Sequence, residues 1–353
     1  MSLFIKSNNL LSSYLLEYLK NIDVYSPLGL NFLISLLSKG VDGNTLDQIS
    51  NVFGTNCSNI CSFLQDMKKL NTIYNKKNIK LINAIFVNNS VKLSKDYYNT
   101  LVNEMCEVGR FSFSNYSNQT INQWVSIQTD EMIPNILEQN TIDDNTQMVL
   151  ISTLVFKNLW KNAFESVNTK NQNFYSFDLI KKINIMSNCL NAPYCENENF
   201  QLLELPFKNQ QYSMGFLLPK QINYLKIDSS NLLELIESLS TTYVNVSIPK
   251  FKHHCKIDLI PILKSLGITN LFNSNHDALT ILECESNNLF VDVMIQEVIV
   301  EIDENGINTL DTPIDDRFLK VAYSSCKFVA DHPFMYYVRD RTNNCILFMG
   351  RYH

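Results

Sequence analysis

The stretch FVDVMIQEVIVEIDENG, residues 290–306, is the most informative part of this chain. Its apolar run predicts a strand from Phe290 to Ile302, which closes on the residues Asp303, Glu304, Asn305 and Gly306. The 23 residues from Ile307 to Val329 then show no sustained period of two or of 3.6. A structureless segment of this length between two apolar strands is uncommon in a compact domain and is usually functional. We therefore expect an exposed loop held by a strand at each end.

The chain becomes apolar again after this loop. Residues 330–339 read ADHPFMYYVR, and residues 345–351 read CILFMGR. The loop itself carries polar and turn-forming residues, among them Asp311, Pro313 and Lys320. We expect proteases to cut it readily, because exposed polar loops are preferred sites of cleavage.

Composition indicates an ordinary globular protein. The chain has 353 residues, of which 45% are hydrophobic and 18% are charged. No linker rich in Pro, Gly or Ser divides it, so we expect residues 1–353 to form a single domain. Helical patterns dominate the first half and strand patterns the second, without regular alternation. This order favours an α+β fold over a doubly wound sheet.

Three local patterns are clear enough to give element bounds. Ser26 and Pro27 predict the start of a helix from Leu28 to Lys39, since a capping hydroxyl followed by proline is typical of a helix N-terminus. Residues from Ile121 to Leu137 have helical spacing. The apolar run from Met148 to Phe156 predicts a central strand.

Several classes of function have little support. The net charge is −6 and no basic stripe is interleaved with aromatic residues, so we expect no nucleic-acid partner. No apolar run reaches the length of a membrane span, so we expect no membrane partner. The chain lacks a glycine-rich phosphate loop, a G-x-S-x-G motif and a paired-carboxylate signature, so we expect no enzyme and no cofactor. His253 and Cys255 could converge on one face of a strand, but no third ligand stands at metal spacing, so no metal site is expected.

The cysteines and the N-terminus indicate the cellular compartment. The chain has nine cysteines, and no two of them are separated by only two residues. This odd, sparse set favours free thiols in a reducing environment. The N-terminus shows no basic region followed by an unbroken apolar segment, so we expect no signal peptide. We predict a cytoplasmic protein that reaches the outside only by unconventional release.

Several short motifs together resemble the serpin family. Both ends of the loop are similar to it, from the acidic pair before Gly306 to the DHPF and LFMGR segments near the end of the chain. Residues 26–48 resemble the family's "SP…G–x–x–G–x–T–x–x–Q" segment, and residues 121–125 resemble "IN–x–WV". Residues 156–164 resemble "FKG–x–W–x–x–x–F", with Asn158 in place of the usual glycine. The matches follow the family order from residue 24 to residue 351.

The resemblance implies a fold and a function. The implied fold is a multi-helix domain around a large central mixed β-sheet, with smaller sheets and an exposed reactive-centre loop at about residues 304–329. The absent signal and short ends resemble the intracellular serpins of poxviruses. That likeness implies a monomeric inhibitor in the host cytoplasm that modulates host proteases, apoptosis or inflammation. The implied partner is a host serine protease or a caspase-like cysteine protease.

In inhibitory serpins a protease cuts the loop and forms an acyl-enzyme, and the first half of the loop then inserts as a new central strand. The usual family count places the reactive bond 14 residues beyond Gly306, which gives Lys320. The poxviral members have a loop one residue shorter, which gives Leu319. Leu319 would suit an apolar protease pocket and Lys320 a trypsin-like one. Asp315 or Asp316 would suit a caspase, although both lie too near the hinge by this count.

The hinge that must insert departs from the family pattern. The matching residues are Glu304, Asn305, Gly306, Ile307, Asn308, Thr309, Leu310, Asp311, Thr312 and Pro313. If Ile307 faces inward in the inserted strand, alternation also turns Asp311 and Pro313 inward. Burial of an unpaired carboxylate costs several kcal/mol, and proline cannot donate to a strand ladder. Just upstream, Gln296 and Glu297 replace the family's His-Lys pair.

Two hypotheses therefore follow from the sequence. The first is a serpin-type protease inhibitor that acts as a suicide substrate through the loop. The second is a non-inhibitory serpin-fold protein that binds a partner or serves as a decoy substrate. Family resemblance favours the first hypothesis, and the hinge residues Asp311 and Pro313 favour the second.

Overall fold

The computed structural model describes residues 2–19, 22–74, 79–91, 93–103, 106–114, 116–177, 179–222, 229–273, 289–309 and 326–353. The α-helices of these residues are α1 (Leu3–Tyr18), α2 (Pro27–Leu37), α3 (Gly43–Val52), α4 (Cys57–Tyr74), α5 (Lys95–Asn103), α6 (Ser117–Gln128), α7 (Ser229–Glu237) and α8 (Ile260–Ser265). Short 3-10 turns run over Ser38–Gly40, Ser166–Asn168 and Asn270–Phe272.

The first eight strands are β1 (Val24–Tyr25), β2 (Ile79–Asn88), β3 (Glu107–Phe111), β4 (Met148–Phe156), β5 (Asn158–Leu159), β6 (Lys170–Tyr175), β7 (Ile180–Glu196) and β8 (Phe200–Pro206). The others are β9 (Tyr212–Pro219), β10 (Ser240–Pro249), β11 (Phe251–Asp258), β12 (Val293–Ile302), β13 (Gly306–Ile307), β14 (Cys326–Val329), β15 (Phe334–Asp340) and β16 (Cys345–Tyr352). Most helices precede the main run of strands, which confirms the α+β prediction.

By its contacts the chain divides into two compact units. The first unit contains residues 1–11, 26–155 and 255–298, and the second contains residues 12–25, 156–254 and 299–353. The prediction that residues 1–353 form one domain stays a prediction.

The first unit carries four strands in the order β3-β2-β4-β12. Strand β4 has the predicted bounds, and all of its residues are buried. It pairs with β12 in parallel, from Val293 opposite Val149 to Val298 opposite Leu154. A mostly apolar run is typical of a strand buried on both faces, and β4 is apolar at every position except Ser152 and Thr153, which is why this prediction succeeds.

Helix α2 begins where the sequence predicts. The Ser26 hydroxyl accepts a hydrogen bond from the Gly29 amide at 3.1 Å, and Pro27 occupies the first turn. Gln296 on β12 then fastens this helix start to the sheet. Its Oε1 accepts from the Ser26 amide at 2.7 Å, and its Nε2 donates to the Ser26 carbonyl at 2.9 Å. Gln296 thus binds both backbone polar groups of Ser26 with its side-chain amide.

The helix predicted from Ile121 to Leu137 is wrong in its second half. Helix α6 ends at Gln128, and Asp130 and Glu131 follow with φ values of 52° and 62°. Left-handed residues end a right-handed helix. The later residues are fixed instead by Asn122, whose amide exchanges two hydrogen bonds of 2.8 Å with the Leu137 backbone. Helical spacing predicts too long a helix here, because Ile133, Ile136 and Leu137 are buried at that spacing although they follow the helix.

The second unit contains a sheet of nine described strands. Eight follow the order β1-β16-β15-β9-β8-β7-β10-β14, and β6 pairs with β7 beside them. Most neighbours are antiparallel, but β14 runs parallel to β10 from Cys326 opposite Val244 to Val329 opposite Ser247. Strand β14 leads the chain back from the loop into this sheet.

A buried ion pair lies at the centre of the nine-stranded sheet. Glu204 on β8 is fully buried and accepts from Arg339 on β15 through both carboxylate oxygens, at 2.6 and 2.9 Å. The same carboxylate accepts from the Tyr337 hydroxyl at 2.8 Å and from the Ser213 hydroxyl at 3.0 Å. Four donors therefore compensate for the water that this carboxylate loses on folding.

We predict that Arg339→Met lowers the free energy of unfolding by about 3–5 kcal/mol, because it leaves the Glu204 carboxylate buried without its cation. The double change Glu204→Met, Arg339→Met should recover part of that loss, since both charges are then gone. Urea unfolding of the three proteins provides the measurement. The exposed pair of Lys252 and Glu301 is the control, and Lys252→Ala should cost less than about 1 kcal/mol. Equal losses for Arg339→Met and Lys252→Ala would contradict this account.

Candidate functional site

The hinge leaves the end of β12 through a tight turn over residues 303–306, within the second unit. The Asp303 carboxylate accepts from the amides of Asn305 at 2.7 Å and Gly306 at 2.9 Å. The Asp303 amide in turn donates to the Gly306 carbonyl at 3.1 Å. An aspartate that binds amides two and three residues later fixes a turn without outside help. The chain therefore reverses direction directly after β12.

Trp160 binds two carbonyl groups of this turn. Its indole Nε1 donates to the Asp303 carbonyl at 2.9 Å, and its amide donates to the Asn305 carbonyl at 2.7 Å. The ring is 1% exposed and stacks on Phe207 at a centroid distance of 4.8 Å. A buried indole usually finds a hydrogen-bond partner for its N–H. Here that partner is the turn itself, so the aromatic pair gives the hinge a rigid support.

Glu304 ties the same turn to two other segments. Its carboxylate accepts from the Thr169 hydroxyl at 2.7 Å and from the Lys250 ammonium at 2.9 Å, and its carbonyl accepts from the Phe164 amide at 2.9 Å. Burial by itself would raise the pKa of Glu304. The hydrogen bonds from Lys250 and Thr169 outweigh it, so the pKa lies below the ordinary value of 4.5. The ionised form is therefore the one that the folded hinge favours.

After the turn, Gly306 and Ile307 form the short strand β13. Ile307 pairs antiparallel with Ile302 on one side and with Asn158 of β5 on the other, and its side chain is fully buried. A Cβ atom on Gly306 would lie 2.0 Å from the Asn158 carbonyl oxygen. Only glycine permits so close an approach of two backbones. The hinge thus enters the space between two strands for two residues.

The strand stops at Asn308, which has a φ of 48°. Its side chain bonds to the backbone of Phe156 and of Ile299. The next residue, Thr309, returns to the turn, where its hydroxyl donates to both oxygens of the Asp303 carboxylate at 3.1 Å. Hydrogen bonds therefore connect the first and last residues of the hinge segment from Asp303 to Thr309.

The structure brings together six of the predicted hinge residues: Glu304, Asn305, Gly306, Ile307, Asn308 and Thr309. The other predicted site residues, Leu310, Asp311, Thr312, Pro313, Leu319 and Lys320, lie outside the described residues. Their assignment to the hinge and to the reactive bond stays a prediction.

Sequence reasoning missed the partners of the hinge. Asp303 carries a signal that could have been used, because an aspartate three residues before a glycine is typical of a side-chain-stabilised turn. Asn308 carries a weaker one, since asparagine tolerates the left-handed region. Lys250 and Thr169 carry none, because they lie far from the hinge in sequence and meet Glu304 only in the folded chain.

Two further properties concern the described part of the chain. No group of three or more His, Cys, Asp or Glu side chains in it is placed to hold a metal ion. None of its helices combines the length and the apolar character that a membrane span requires.

We predict that Glu304→Gln makes the hinge less sensitive to acid. Because the folded pKa of Glu304 is lowered, its ionised form stabilises the native state above 4.5, and that contribution is lost as the pH falls through the folded value. The stability advantage of wild type over Glu304→Gln should therefore shrink below about pH 4.5. Unfolding midpoints measured from about pH 3, where carboxylates are largely protonated, to about pH 7, where they are ionised, test this. The control is Glu301→Gln, whose exposed carboxylate should give a smaller difference. If the stability advantage of wild type over Glu304→Gln grew as the pH fell, the lowered pKa of Glu304 would be contradicted.

The geometry can be compared with known proteins. The family model of the serpins, the serine protease inhibitors, matches residues 7–353. An uncharacterized serpin-like protein of Acanthamoeba polyphaga mimivirus is 27% identical over 368 residues, which cover 98% of this chain and 88% of that protein. The leukocyte elastase inhibitor of Homo sapiens is 28% identical over 349 residues, which cover 93% of this chain and 91% of that protein.

A solved structure agrees with these relatives. Native protease nexin-1, crystallised with heparin, matches with a TM-score of 0.85 and 25% identity, over 99% of this chain and 97% of that chain. The expected serpin fold, α+β with helices and mixed multi-strand sheets, is thereby confirmed. The family resemblance read from the short motifs is confirmed as well, and this chain belongs to the serpin family.

Proposed function

We propose that this chain inhibits endopeptidases as a suicide substrate, through the loop at about residues 304–329. One observation carries the proposal. Gly306 and Ile307 already lie as a strand between the end of β12 and β5, with Ile307 fully buried. An inhibitory serpin must accept its hinge as a strand in the sheet, and this sheet has taken up the first two residues. The leukocyte elastase inhibitor and protease nexin-1 support the same function at the level of the family.

The proposed chemistry begins as ordinary proteolysis. The serine hydroxyl or cysteine thiol of the protease attacks the carbonyl carbon of Leu319. An ester or thioester forms, the peptide bond to Lys320 breaks, and the proton of the nucleophile passes to the departing amine. The freed hinge then extends the strand that Ile307 begins. The protease, still bound through its acyl bond, is carried with the loop before water can release it.

The proposed target is a host serine protease or a caspase-like cysteine protease. Leu319 suits an apolar specificity pocket, and the name of the human relative, an inhibitor of leukocyte elastase, agrees with that preference. We also propose a viral role in which host proteases, apoptosis or inflammation are modulated, and its support is that a serpin-like relative is found in a mimivirus. We further propose that the chain acts as a monomer in the host cytoplasm. The odd, sparse set of nine cysteines, which is typical of proteins in a reducing compartment, supports that location.

A second function is favoured by two residues of the hinge. Asp311 would place a carboxylate, and Pro313 a residue without an amide N–H, in a central strand. If these costs prevent further insertion, the acyl-enzyme is hydrolysed before the protease is trapped. The chain would then be a decoy substrate or a serpin-fold binding protein.

We predict that a protease with an apolar specificity pocket forms a covalent adduct with the chain. The adduct should survive denaturing electrophoresis and should have the summed mass of the protease and the larger loop-cleaved fragment. N-terminal sequencing of the small released fragment should begin at Lys320. A start at Val321 would place the reactive bond after Lys320 instead.

Two controls accompany this experiment. Leu319→Asp should abolish the adduct with that protease while leaving the fold intact, because the residue that fills the pocket is charged. A protease whose nucleophile is replaced by alanine should give no adduct with either protein. Complete cleavage with no adduct for every protease class tested would favour the decoy-substrate function.

We also predict that Asp311→Ala, Pro313→Ala increases the share of protease that is trapped. The two natural residues oppose insertion by several kcal/mol, since they bury a carboxylate and remove one ladder donor. Cleavage of the wild-type loop should therefore raise the melting temperature only a little, whereas cleavage of the double variant should raise it much more. Thr309→Ala is the matched control, because it changes the hinge without removing a charge or a proline. A large rise for the cleaved wild-type chain would show that its sheet accepts the natural hinge.

A further inference from the structure

The hinge strand ends abruptly at Asn308. Ile307 has the extended backbone of a paired strand, and the following residue has a φ of 48°. Residues with a side chain rarely adopt this left-handed conformation, and asparagine is among the few that do. The chain therefore leaves the sheet at residue 308, although Ile307 is paired on both sides.

The Asn308 side chain joins the two strands that the hinge has entered. Its Nδ2 donates to the Phe156 carbonyl of β4 at 2.9 Å and to the Ile299 carbonyl of β12 at 3.2 Å. Its Oδ1 accepts from the Glu301 amide at 2.9 Å, and its own amide donates to the Glu301 carbonyl at 2.8 Å. One asparagine thus makes four hydrogen bonds to the backbone of neighbouring strands.

These bonds lie where β4 and β12 stop pairing with each other. Their last paired residues are Leu154 and Val298, and the two carbonyls follow at Phe156 and Ile299 along the same strands. Carbonyls at such a point need a donor, because buried backbone groups are almost always paired. A strand added between β4 and β12 would supply backbone donors in the same place. Asn308 supplies them with its side chain instead.

We infer that Asn308 is a latch: it ends the hinge strand, and its side chain holds β4 and β12 together at Phe156 and Ile299 until the loop is cut. The inference rests on the proposed function, since it concerns the insertion by which that function works. Further insertion requires residue 308 to change from left-handed to extended backbone and its amide to release Phe156 and Ile299. The latch would therefore set the rate of insertion, and with it the competition between trapping and release of the protease.

The chemistry of the side chain explains why asparagine suits this position. A primary amide carries two donors on one nitrogen and an acceptor on its oxygen. It can therefore serve two carbonyls and one amide at once, whereas one peptide group of an added strand has a single N–H donor. Aspartate would keep the shape but set a carboxylate oxygen against two carbonyls. Glycine would keep the left-handed backbone and lose every side-chain bond.

The first test measures the latch in the intact chain. Hydrogen exchange of the Glu301 amide should become about tenfold faster in Asn308→Gly, because the change removes the acceptor and both donors that tie this strand end. Asn308→Asp keeps an oxygen that can accept from the Glu301 amide, so exchange of that amide should rise less than in Asn308→Gly. Thr309→Val is the matched control, since it alters the neighbouring bond to Asp303 without touching β4 or β12. Equal exchange in wild type and Asn308→Gly would overturn the latch.

The second test measures insertion without any inhibition assay. Asn308→Gly is placed in the Asp311→Ala, Pro313→Ala background, and the loop is cut with a protease that forms no adduct. The melting temperature should then reach its final, higher value about tenfold sooner than in the same background with Asn308. Equal rates, or no rise in either protein, would overturn the proposed control of insertion.

The two ideas fail in different ways. If faster exchange and faster insertion are found but no protease forms an adduct, the latch stands and the inhibitory function fails. If adducts form but residue 308 changes neither rate, the inhibitory function stands and the latch fails.

Discussion

Residue 306 has no side chain, and the arrangement of the hinge depends on that. Any Cβ at this position would press into the carbonyl oxygen of Asn158, so the strand formed with Ile307 could not lie against β5. Without this contact, Ile307 would lose its place between two strands, and the bonds of Asn308 to Phe156 and Ile299 would have no fixed starting point. A single glycine thereby allows a polar chain to enter a closely packed sheet.

The turn that presents this glycine satisfies its backbone groups locally. The Asp303 carboxylate takes the amides of Asn305 and Gly306, while Trp160 donates to the carbonyls of Asp303 and Asn305. None of these bonds involves a residue beyond Thr309. The hinge therefore has a rigid base, and a change of conformation can begin at residue 308 while the turn remains folded.

Sequence predicted the parts of the molecule that depend on local pattern. Strand β4 has the predicted bounds because it is mostly apolar and buried along its whole length, and α2 starts as predicted because Ser26 and Pro27 act within one turn. The end of α6 was missed, since burial continues past Gln128 at helical spacing although the backbone of Asp130 turns left-handed. Spacing alone cannot distinguish a helix from an irregular segment that packs on the same core.

The candidate site was predictable in outline only. Motifs that are close in sequence placed the hinge at Gly306, and the count from Ile307 assumed an inward side chain, which is buried. The support of the hinge could not be read in this way. Lys250 is 54 residues from Glu304, and Phe156 is 152 residues from Asn308, so these pairs exist only once the sheets have formed.

The buried ion pair in the nine-stranded sheet has a consequence for how that sheet assembles. Arg339 and Tyr337 are two residues apart on β15 and both reach Glu204 on β8, across the intervening β9. If β15 slipped by one residue, both side chains would turn to the opposite face and Glu204 would be left charged in an apolar interior. The ion pair therefore selects the register of these apolar strands. A shifted register leaves a buried charge without its partner, which costs more free energy than a loss of packing alone.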